Sequence, residues 1–478
     1  MGAHHRHHER WEEGEGEWRP EEEGKGGPGR GLFVLDKVEK VVESEGGQVR
    51  VVRGQPWPPA YVVPEAPWQH GGWSTCREGL MHIGFITMEP KTLFVPQYID
   101  SNLILFVQRG EVKVGWIHKA ELVEKKLKMG DVLHIDAGST FYMVNTGKGQ
   151  RLQVICSIDA SDSAGFGPYQ SFYLGGASKQ TSVLGGFDPK ILVTAFNTTY
   201  DELARIFMVK AGGPIVHYTE ESGRSEEDGR GDKGDVGDKG RENEPWRQVG
   251  RGDEDESSNE LWTWSSWRKL MGKFGGASSN AAQVNKKKSS DKTVRAPEPY
   301  NIFDHDPSFR NDYGWSVSID KHEYEPLGHS DIGVYLVNLT AGSMMAPHVN
   351  PRATEYGVVL GGEGVIQVVF PNGTLAMSAK VLVGDVFWIP RYFPFAQVAS
   401  RAGPFEFFGF TTSARRNRPQ FLVGASSVLR TILGPELAAG FGVPEEELSE
   451  VVKAQKEAVI LPSFPEKEPR AIRQVAKE

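Results

Sequence analysis

The residues best suited to chemistry lie in one short stretch, from Met345 to Gly357. His348 and Asn350 are two positions apart, so on a β-strand both side chains point to the same face, and Glu355 follows after a short turn. Nitrogen and oxygen donors that converge from adjacent strands can hold copper, manganese, iron or zinc, or a small polar ligand. The stretch therefore predicts a ligand pocket in which His348 and Glu355 are the metal-binding candidates.

Other chemical patterns are weaker. The sequence has no GxSxG nucleophile elbow, no phosphate-binding Walker loop and no HExxH zinc helix. His305 stands between Asp304 and Asp306, where a loop position favours a solvated or capping role over catalysis. The histidine run from residue 4 to residue 8 favours a solvated tail, with loose metal binding as the alternative. The cysteines, Cys76 and Cys156, are either buried free thiols or one bridge.

The sequence around the candidate pocket is the second copy of a duplicated domain. Landmarks of the first copy recur in the same order about 250 residues later, a spacing that fits a repeated domain and not a solenoid. The matching segments are Ile83–Phe85, Gly110, Gly130–Val132 and Phe172–Ser178 against Ile332–Val334, Gly362, Gly384–Val386 and Gln420–Ser426. An alignment through the shared glycines places Pro96, Tyr98, Leu103 and Phe141 at the positions of His348, Asn350, Glu355 and Phe395. The first copy therefore lacks a metal site.

Short strands separated by glycine turns must position these residues. In the first copy the predicted strands are Ile83–Thr87, Leu103–Gln108, Glu111–Ile117, Val132–Ile135, Phe141–Asn145 and Leu152–Ser157. Regular short strands without intervening helices indicate an antiparallel sandwich or barrel. The fold class is therefore mainly β.

Each copy ends in an amphipathic helical arm. In the first copy the apolar positions run from Ile191 to Phe207, and Thr199 with Glu202 forms a capping box. In the second copy Pro444 precedes three glutamates and an apolar stripe that begins at Leu448. Matching arms at both ends predict assembly into a closed ring, and the alternative is that each arm folds back on its own sheet.

Composition divides the rest of the chain. Residues 1–32 form an acidic and histidine-rich arm, 219–296 a charged linker with a tryptophan-rich patch at 261–274, and 461–478 a flexible tail, all predicted to be disordered. The two barrels with their arms occupy residues 33–218 and 297–460. The net charge of −9 offers no basic surface for nucleic acid. No apolar run reaches the roughly 18 residues that a transmembrane helix needs, and the N-terminus has no signal-peptide pattern.

Two further stretches make a family resemblance specific. Met345–Gly357 resembles the first sequence box of the cupin superfamily, and Gly384–Phe395 resembles the second. In metal-bearing cupins the second box supplies another histidine, and its place is taken here by Phe395, with Phe393 at a nearby site. The wider match, strongest at 330–373 and 405–422, covers about residues 33–460 and resembles the vicilin-like 7S seed storage globulins.

This resemblance implies two tandem double-stranded β-helix (jelly-roll) barrels in a homotrimer joined through the helical arms. It also implies a nutrient reservoir without catalytic activity, delivered to protein storage vacuoles by the secretory pathway, cut by processing proteases at the linker and degraded on germination. No cofactor is expected.

Two alternatives use the pocket formed by His348, Asn350, Glu355 and Phe395. One is the binding of a small anion or sugar, and the other is a metal-dependent enzyme acting on a small carboxylate such as oxalate. The sequons at Asn197, Asn338 and Asn372 are glycosylation candidates and are compatible with secretion.

Overall fold

The computed structural model describes residues 31–54, 81–159, 168–175, 182–207, 213–218, 296–415 and 417–462. The histidine run, Cys76, the tryptophan-rich patch and most of the predicted arm, linker and tail lie outside the described residues.

The first part of the chain folds into an antiparallel β-barrel. Its strands are β1 (Val34–Leu35), β2 (Val38–Ser44), β3 (Gly47–Val52), β4 (Met81–Met88), β5 (Thr92–Ile99), β6 (Leu103–Arg109), β7 (Val112–His118), β8 (Glu121–Leu127), β9 (Asp131–Ile135), β10 (Phe141–Asn145), β11 (Leu152–Asp159), β12 (Ser171–Tyr173) and β13 (Ile215–His217). The predicted strands are confirmed, with ends shifted by at most two residues. We call this the N-terminal barrel.

The second part repeats the design as the C-terminal barrel. Its strands are β14 (Tyr300–Asn301), β15 (Phe309–Asn311), β16 (Gly314–Ile319), β17 (Gly333–Leu339), β18 (Met344–Met345), β19 (His348–Val349), β20 (Glu355–Gly361), β21 (Glu363–Val369), β22 (Leu375–Leu382), β23 (Val386–Ile389), β24 (Phe395–Ala399), β25 (Phe405–Thr411), β26 (Gln420–Phe421) and β27 (Ile460–Leu461). The barrel thus extends to Leu461, one residue into the predicted tail.

Each barrel consists of an inner sheet, which faces the other barrel, and an outer sheet. In the N-terminal barrel the inner order is β14-β9-β6-β11-β4-β3-β2, and the outer order is β12-β5-β10-β7-β8 with β13 beside β5. In the C-terminal barrel the inner order is β1-β23-β20-β25-β17-β16-β15, and the outer order is β22-β21-β24-β18-β27 with β19 joining β24 to β26. The fold is the mainly β, two-barrel architecture that the sequence predicts.

The two barrels exchange their first strands. β1 precedes the N-terminal barrel in the chain but pairs with β23, with Val34 opposite Phe387. In the reverse direction β14 pairs with β9, with Tyr300 opposite Val132. Phe33, just before β1, is fully buried in the core of the C-terminal barrel. The predicted boundaries at 33 and 297 therefore do not separate the barrels in space.

A continuous apolar core joins the inner sheets. Phe106 on β6 stacks on Phe408 on β25 with ring centroids 3.8 Å apart. Because β25 has its own barrel interior on one face and the other barrel on the other, every residue from Phe405 to Thr411 is buried. On the outer sheet, β22 instead alternates buried and exposed residues, as a strand with one solvated face does.

Helical arms follow each barrel. They comprise α1 (Pro189–Phe196), α2 (Tyr200–Phe207), α3 (Val428–Thr431), α4 (Pro435–Phe441) and α5 (Glu445–Ala454). The capping box is confirmed, because the Thr199 backbone N–H donates to Glu202 at 3.0 Å and the Glu202 N–H donates to Thr199 Oγ1 at 3.4 Å. Asn197 ends α1 in the left-handed conformation. Pro444 sits at the N-cap of α5, with Glu445 in its first turn.

Candidate functional site

The candidate site is a cavity of about 500 Å³ inside the C-terminal barrel. Its wall includes the polar side chains of Tyr335, His348, Asn350, Glu355, Gln397 and Thr411. The structure therefore brings His348, Asn350 and Glu355 together, whereas Phe395, the fourth residue of the predicted pocket, is not part of the wall.

The strand register explains why these side chains converge. His348 on β19 lies opposite Phe395 on β24 and opposite Phe421 on β26. Glu355 begins β20, where it lies opposite Ile389 and Thr411. The outer sheet thus supplies the imidazole and the inner sheet the carboxyl group, and the cavity lies between them.

His348 is held in a single orientation. Its Nδ1 lies 2.8 Å from the carbonyl oxygen of Ala346, so Nδ1 carries the proton and Nε2 is left as an acceptor. The ring packs against Phe395 and Phe421, with centroid distances of 4.0 and 5.2 Å. Burial lowers the pKa of His348 to about 4, so the ring is neutral at physiological pH.

Glu355 is surrounded by hydrogen-bond donors. Asn350 Nδ2 donates to its Oε2 at 2.8 Å, and Gln397 Nε2 donates to its Oε1 at 3.2 Å. Tyr335 also contacts this carboxyl group. Burial nevertheless raises the pKa of Glu355 to about 7, because desolvation of the anion outweighs these hydrogen bonds.

The amides that bind Glu355 leave their oxygens unused. Asn350 Oδ1 and Gln397 Oε1 are buried and have no hydrogen-bond partner among the described residues. Together with His348 Nε2 they form a wall of acceptors. These acceptors favour a ligand that supplies hydrogen-bond donors, because a buried acceptor without a hydrogen-bond partner costs free energy.

These residues do not fit a tightly bound metal. The position from which cupins supply a further histidine holds Phe395, and both oxygens of Glu355 already accept amide hydrogen bonds. Within the described ranges, no three His, Cys, Asp or Glu side chains gather at this cavity. One imidazole and one engaged carboxylate fall short of the three protein ligands that a catalytic metal ordinarily has.

Sequence reasoning missed Gln397 and Tyr335. Gln397 follows Phe395 by two residues on the same strand, so strand periodicity placed it on the pocket face once Phe395 was assigned there. Tyr335, on β17, gave no such signal. Its hydroxyl donates to the carbonyl oxygen of Tyr356 at 3.1 Å, which fixes the ring at the rim of the carboxyl site.

The corresponding place in the N-terminal barrel differs by one residue from the predicted alignment. Phe141, the counterpart of Phe395, lies opposite Gln97 and not opposite Pro96. Gln97 is therefore the counterpart of His348, and Ile99 replaces Tyr98 as the counterpart of Asn350. Gln97 is 1% exposed, and neither atom of its amide has a partner within the described part of the chain.

Other candidates are placed as follows. Cys156 is a buried free thiol whose pKa burial raises to about 12. His305 stacks on Tyr300 at the surface, with ring centroids 4.3 Å apart, and joins no catalytic arrangement among the residues described. Phe393 packs edge-on against Phe33, with centroids 5.8 Å apart, outside the cavity wall.

The three sequons differ in accessibility. Asn197 and Asn372 are exposed at turns, as a glycosylation acceptor requires. Asn338 is half-buried near the end of β17, and its side chain binds the buried carboxyl group of Glu406. Among the described helices, none is long and apolar enough to cross a membrane.

Comparisons with known proteins agree with this architecture. A family model described as Cupin matches residues 69–201 and 300–449. A vicilin-like seed storage protein of Arabidopsis thaliana is 48% identical over 440 residues, which cover 91% of this chain and 81% of that protein. The crystal structure of vicilin from Corylus avellana, hazelnut, matches with a TM-score of 0.68 at 20% identity, covering 91% of this chain and 100% of that chain. A vicilin from Solanum melongena, described as revealing different anionic ligands in structurally similar pockets, matches with a TM-score of 0.67 at 20% identity, covering 91% of this chain and 97% of that chain.

Proposed function

The chain belongs to the cupin family as a vicilin-like seed storage protein, and on this premise we propose that it acts as a homotrimer held in protein storage vacuoles until germination. The observation that carries the storage role is the 48% identity with a seed storage protein across both barrels. Storage requires a stable and compact chain that can be digested on demand, and it requires no catalytic site.

The trimer is supported by the apolar side chains that the arms expose. In the single chain, Ile206 on α2 is 68% exposed and Val451 on α5 is 70% exposed. Ile191, Phe196 and Phe441 are also exposed. Several large apolar side chains exposed on the same arms favour an interface, and an arm after each barrel of a pseudo-symmetric chain allows head-to-tail contacts that close into a ring.

Substitutions in the arms test the trimer. Size-exclusion chromatography with light scattering should give three chains per particle for the wild type and one for Ile206→Asp or Val451→Asp. Leu122→Asp is the matched control, because Leu122 is 61% exposed on β8, away from the arms. A trimer that survives both arm substitutions would show that the chains associate through another surface.

Localisation and timing test the storage proposal. Immunogold labelling should find the protein in protein storage vacuoles of maturing seeds, and its abundance should fall after germination. Low and constant amounts in vegetative tissue would argue against a nutrient reservoir.

Processing is proposed at the charged linker, residues 219–296. Its composition of Gly, Asp, Glu, Lys and Arg is typical of segments that proteases reach. The shared core and the exchanged strands would hold the halves together after a cut. Limited proteolysis should therefore give two fragments on a denaturing gel and one unchanged particle on a native column, whereas separated fragments would contradict this arrangement.

We propose a second, minor capacity, the binding of a small sugar or polyol in the C-terminal cavity without a metal. The unpartnered oxygens of Asn350 and Gln397, with His348 Nε2, favour hydroxyl donors over an anion. Calorimetry with sugars and small carboxylates should give heat only for the sugars, and His348→Ala should abolish it. Heat with carboxylates alone would assign an anion site of the kind described for the Solanum melongena vicilin.

A further inference from the structure

A second group of ligating side chains lies at the seam between the barrels. His134 belongs to β9 of the N-terminal barrel, and Asp136 follows directly after that strand. His329 ends a short 3-10 helix, Glu325–His329, of the C-terminal barrel. Neither the storage role nor the sugar pocket uses these residues.

The distances suit a small cation. His329 Nδ1 lies 3.0 Å from Asp136 Oδ1, and His134 Nδ1 lies 3.7 Å from the same oxygen. One donor atom from each of the three residues lies within 4.8 Å of the other two. Ligands of a tetrahedral zinc ion are about 3.4 Å apart, given metal–ligand distances near 2.1 Å. A shift of about 1 Å in the exposed side chains would close the site around an ion.

His134 supplies an independent observation. Its side chain is 3% exposed, and its Nε2 has no hydrogen-bond partner in the described part of the chain. The contact to Asp136 at 3.7 Å exceeds hydrogen-bond range. His134 Nδ1, the ring nitrogen that faces Asp136, is therefore available to a cation.

A simple ion pair does not account for the cluster. Protonated His329 beside Asp136 would form a surface pair, but it would leave the buried ring of His134 without a role. The two imidazole rings meet edge to face with centroids 5.5 Å apart, so the ring of His134 belongs to the same cluster as the surface pair. Glu325 Oε1 lies 3.9 Å from His329 Nε2, the ring nitrogen opposite the one that contacts Asp136.

We propose that His134, Asp136 and His329 form a binding site for a divalent transition metal of the zinc class that links the two barrels. Two imidazoles and a carboxylate are a ligand set that zinc accepts, with water completing the coordination. The ion would join β9 of one barrel to the 3-10 helix of the other. This inference does not depend on the storage role.

Zinc titration of the full chain tests the site. His4, His5, His7 and His8 are first changed to Gln, so that the histidine run does not bind the metal. In this background, competition with a chromophoric chelator should show one tight zinc ion per chain. His329→Ala should weaken binding at least tenfold, and Asp136→Asn should weaken it less. His322→Ala is the matched control, since His322 is an exposed histidine of the same region outside the cluster.

Three outcomes would overturn the inference. They are the absence of tight zinc binding, unchanged affinity in His329→Ala, and loss of binding in His348→Ala with retention in His329→Ala, which would place the ion in the C-terminal cavity. Because His329 is half exposed, its truncation should leave the fold intact, and circular dichroism checks this. A zinc-dependent rise in melting temperature that disappears in His329→Ala gives a second readout.

Discussion

The two barrels have matching strand pairing but different interior side chains. At matched positions of the register, the C-terminal barrel has His348, Glu355, Gln397 and Thr411 where the N-terminal barrel has Gln97, Leu103, Met143 and Ile158. Three polar side chains in one barrel are thus apolar in the other. The backbone pairing at these positions is the same, so the two interiors differ in polarity because of a few inward side chains.

The barrels also differ at one cross-strand pair, in which a glycine faces a larger residue. The glycine lies on one strand of the pair in the C-terminal barrel and on the other strand in the N-terminal barrel. In the C-terminal barrel Tyr335 lies opposite Gly409, and in the N-terminal barrel Gly84 lies opposite Cys156. A Cβ on Gly409 would overlap the Tyr335 ring and the Tyr356 carbonyl oxygen, whereas a Cβ on Gly84 would overlap the Cys156 sulfur. In each barrel one side chain therefore occupies the space above the glycine. It is Tyr335 in the C-terminal barrel and Cys156 in the N-terminal barrel, which lie on non-equivalent strands of the pair.

Alanine at the two glycines should give the largest difference between the barrels. Gly409→Ala forces Cβ against backbone and a fixed aromatic ring, so we expect a loss of at least about 3 kcal/mol in the free energy of unfolding. Gly84→Ala meets two side chains and no backbone, the Cys156 sulfur and less closely the end of Ile158, and should lose about 1–2 kcal/mol. Urea denaturation measures both. Equal losses would show that the two interiors are equally rigid here.

The pH dependence of stability should distinguish Glu355 from its apolar counterpart Leu103. The unfolded carboxyl group titrates near 4.5 and the folded one near 7, so between these values only the folded chain keeps the proton. The contribution of Glu355 to the free energy of unfolding therefore falls as pH rises from about 4.5 to about 7, and it is constant above that range. The pKa shift of Glu355 sets an upper bound of about 3 kcal/mol on this loss in the free energy of unfolding.

The Glu355→Gln variant isolates this contribution. His348 and His134 have pKa values lowered to about 4, so they act in the opposite direction, losing stability as pH falls from 6.5 towards 4. The difference between wild type and Glu355→Gln, measured by urea denaturation from pH 5 to 8, removes their effect. Glu121→Gln, at an exposed site of the N-terminal barrel, should change nothing. Parallel curves for wild type and Glu355→Gln would contradict the raised pKa.

Replacement of Gln97 should have the smallest effect and the opposite sign. Its buried amide has no partner among the residues described, so Gln97→Met should stabilise the chain by about 1 kcal/mol. The melting temperature reports the gain. Gln367→Met, at an exposed site on β21, should give none. Destabilisation by Gln97→Met would mean that the amide is satisfied and that the N-terminal interior is more polar than we describe.

Local patterns made much of this molecule predictable. Alternating apolar residues and glycine turns predicted the strands, the capping box at Thr199 predicted the start of α2, and two-residue spacing predicted that His348 and Asn350 share a face. The predicted alignment of the N-terminal barrel with the pocket was wrong by one residue because the turns differ in length. Five positions separate Asn350 from Glu355, and four separate Ile99 from Leu103.

Contacts between segments far apart in the chain could not be predicted from the sequence. β1 is two residues long, and Val34 and Leu35 show no feature that assigns them to the distant barrel. Tyr335 enters the pocket only because Gly409 leaves room across the ladder. The seam cluster joins residues almost 200 positions apart, with a separation of 193 between Asp136 and His329, so no local spacing reveals it.

The exchanged strands have a consequence for synthesis on the ribosome. β9 remains an open sheet edge until Tyr300 has been translated, although every other strand of the N-terminal barrel's inner sheet is already present. At about 5–20 residues per second, this delay lasts on the order of 10–30 s. An unpaired edge is prone to pair with another nascent chain. Efficient production of this protein should therefore depend on a chaperone that shields β9 during this interval.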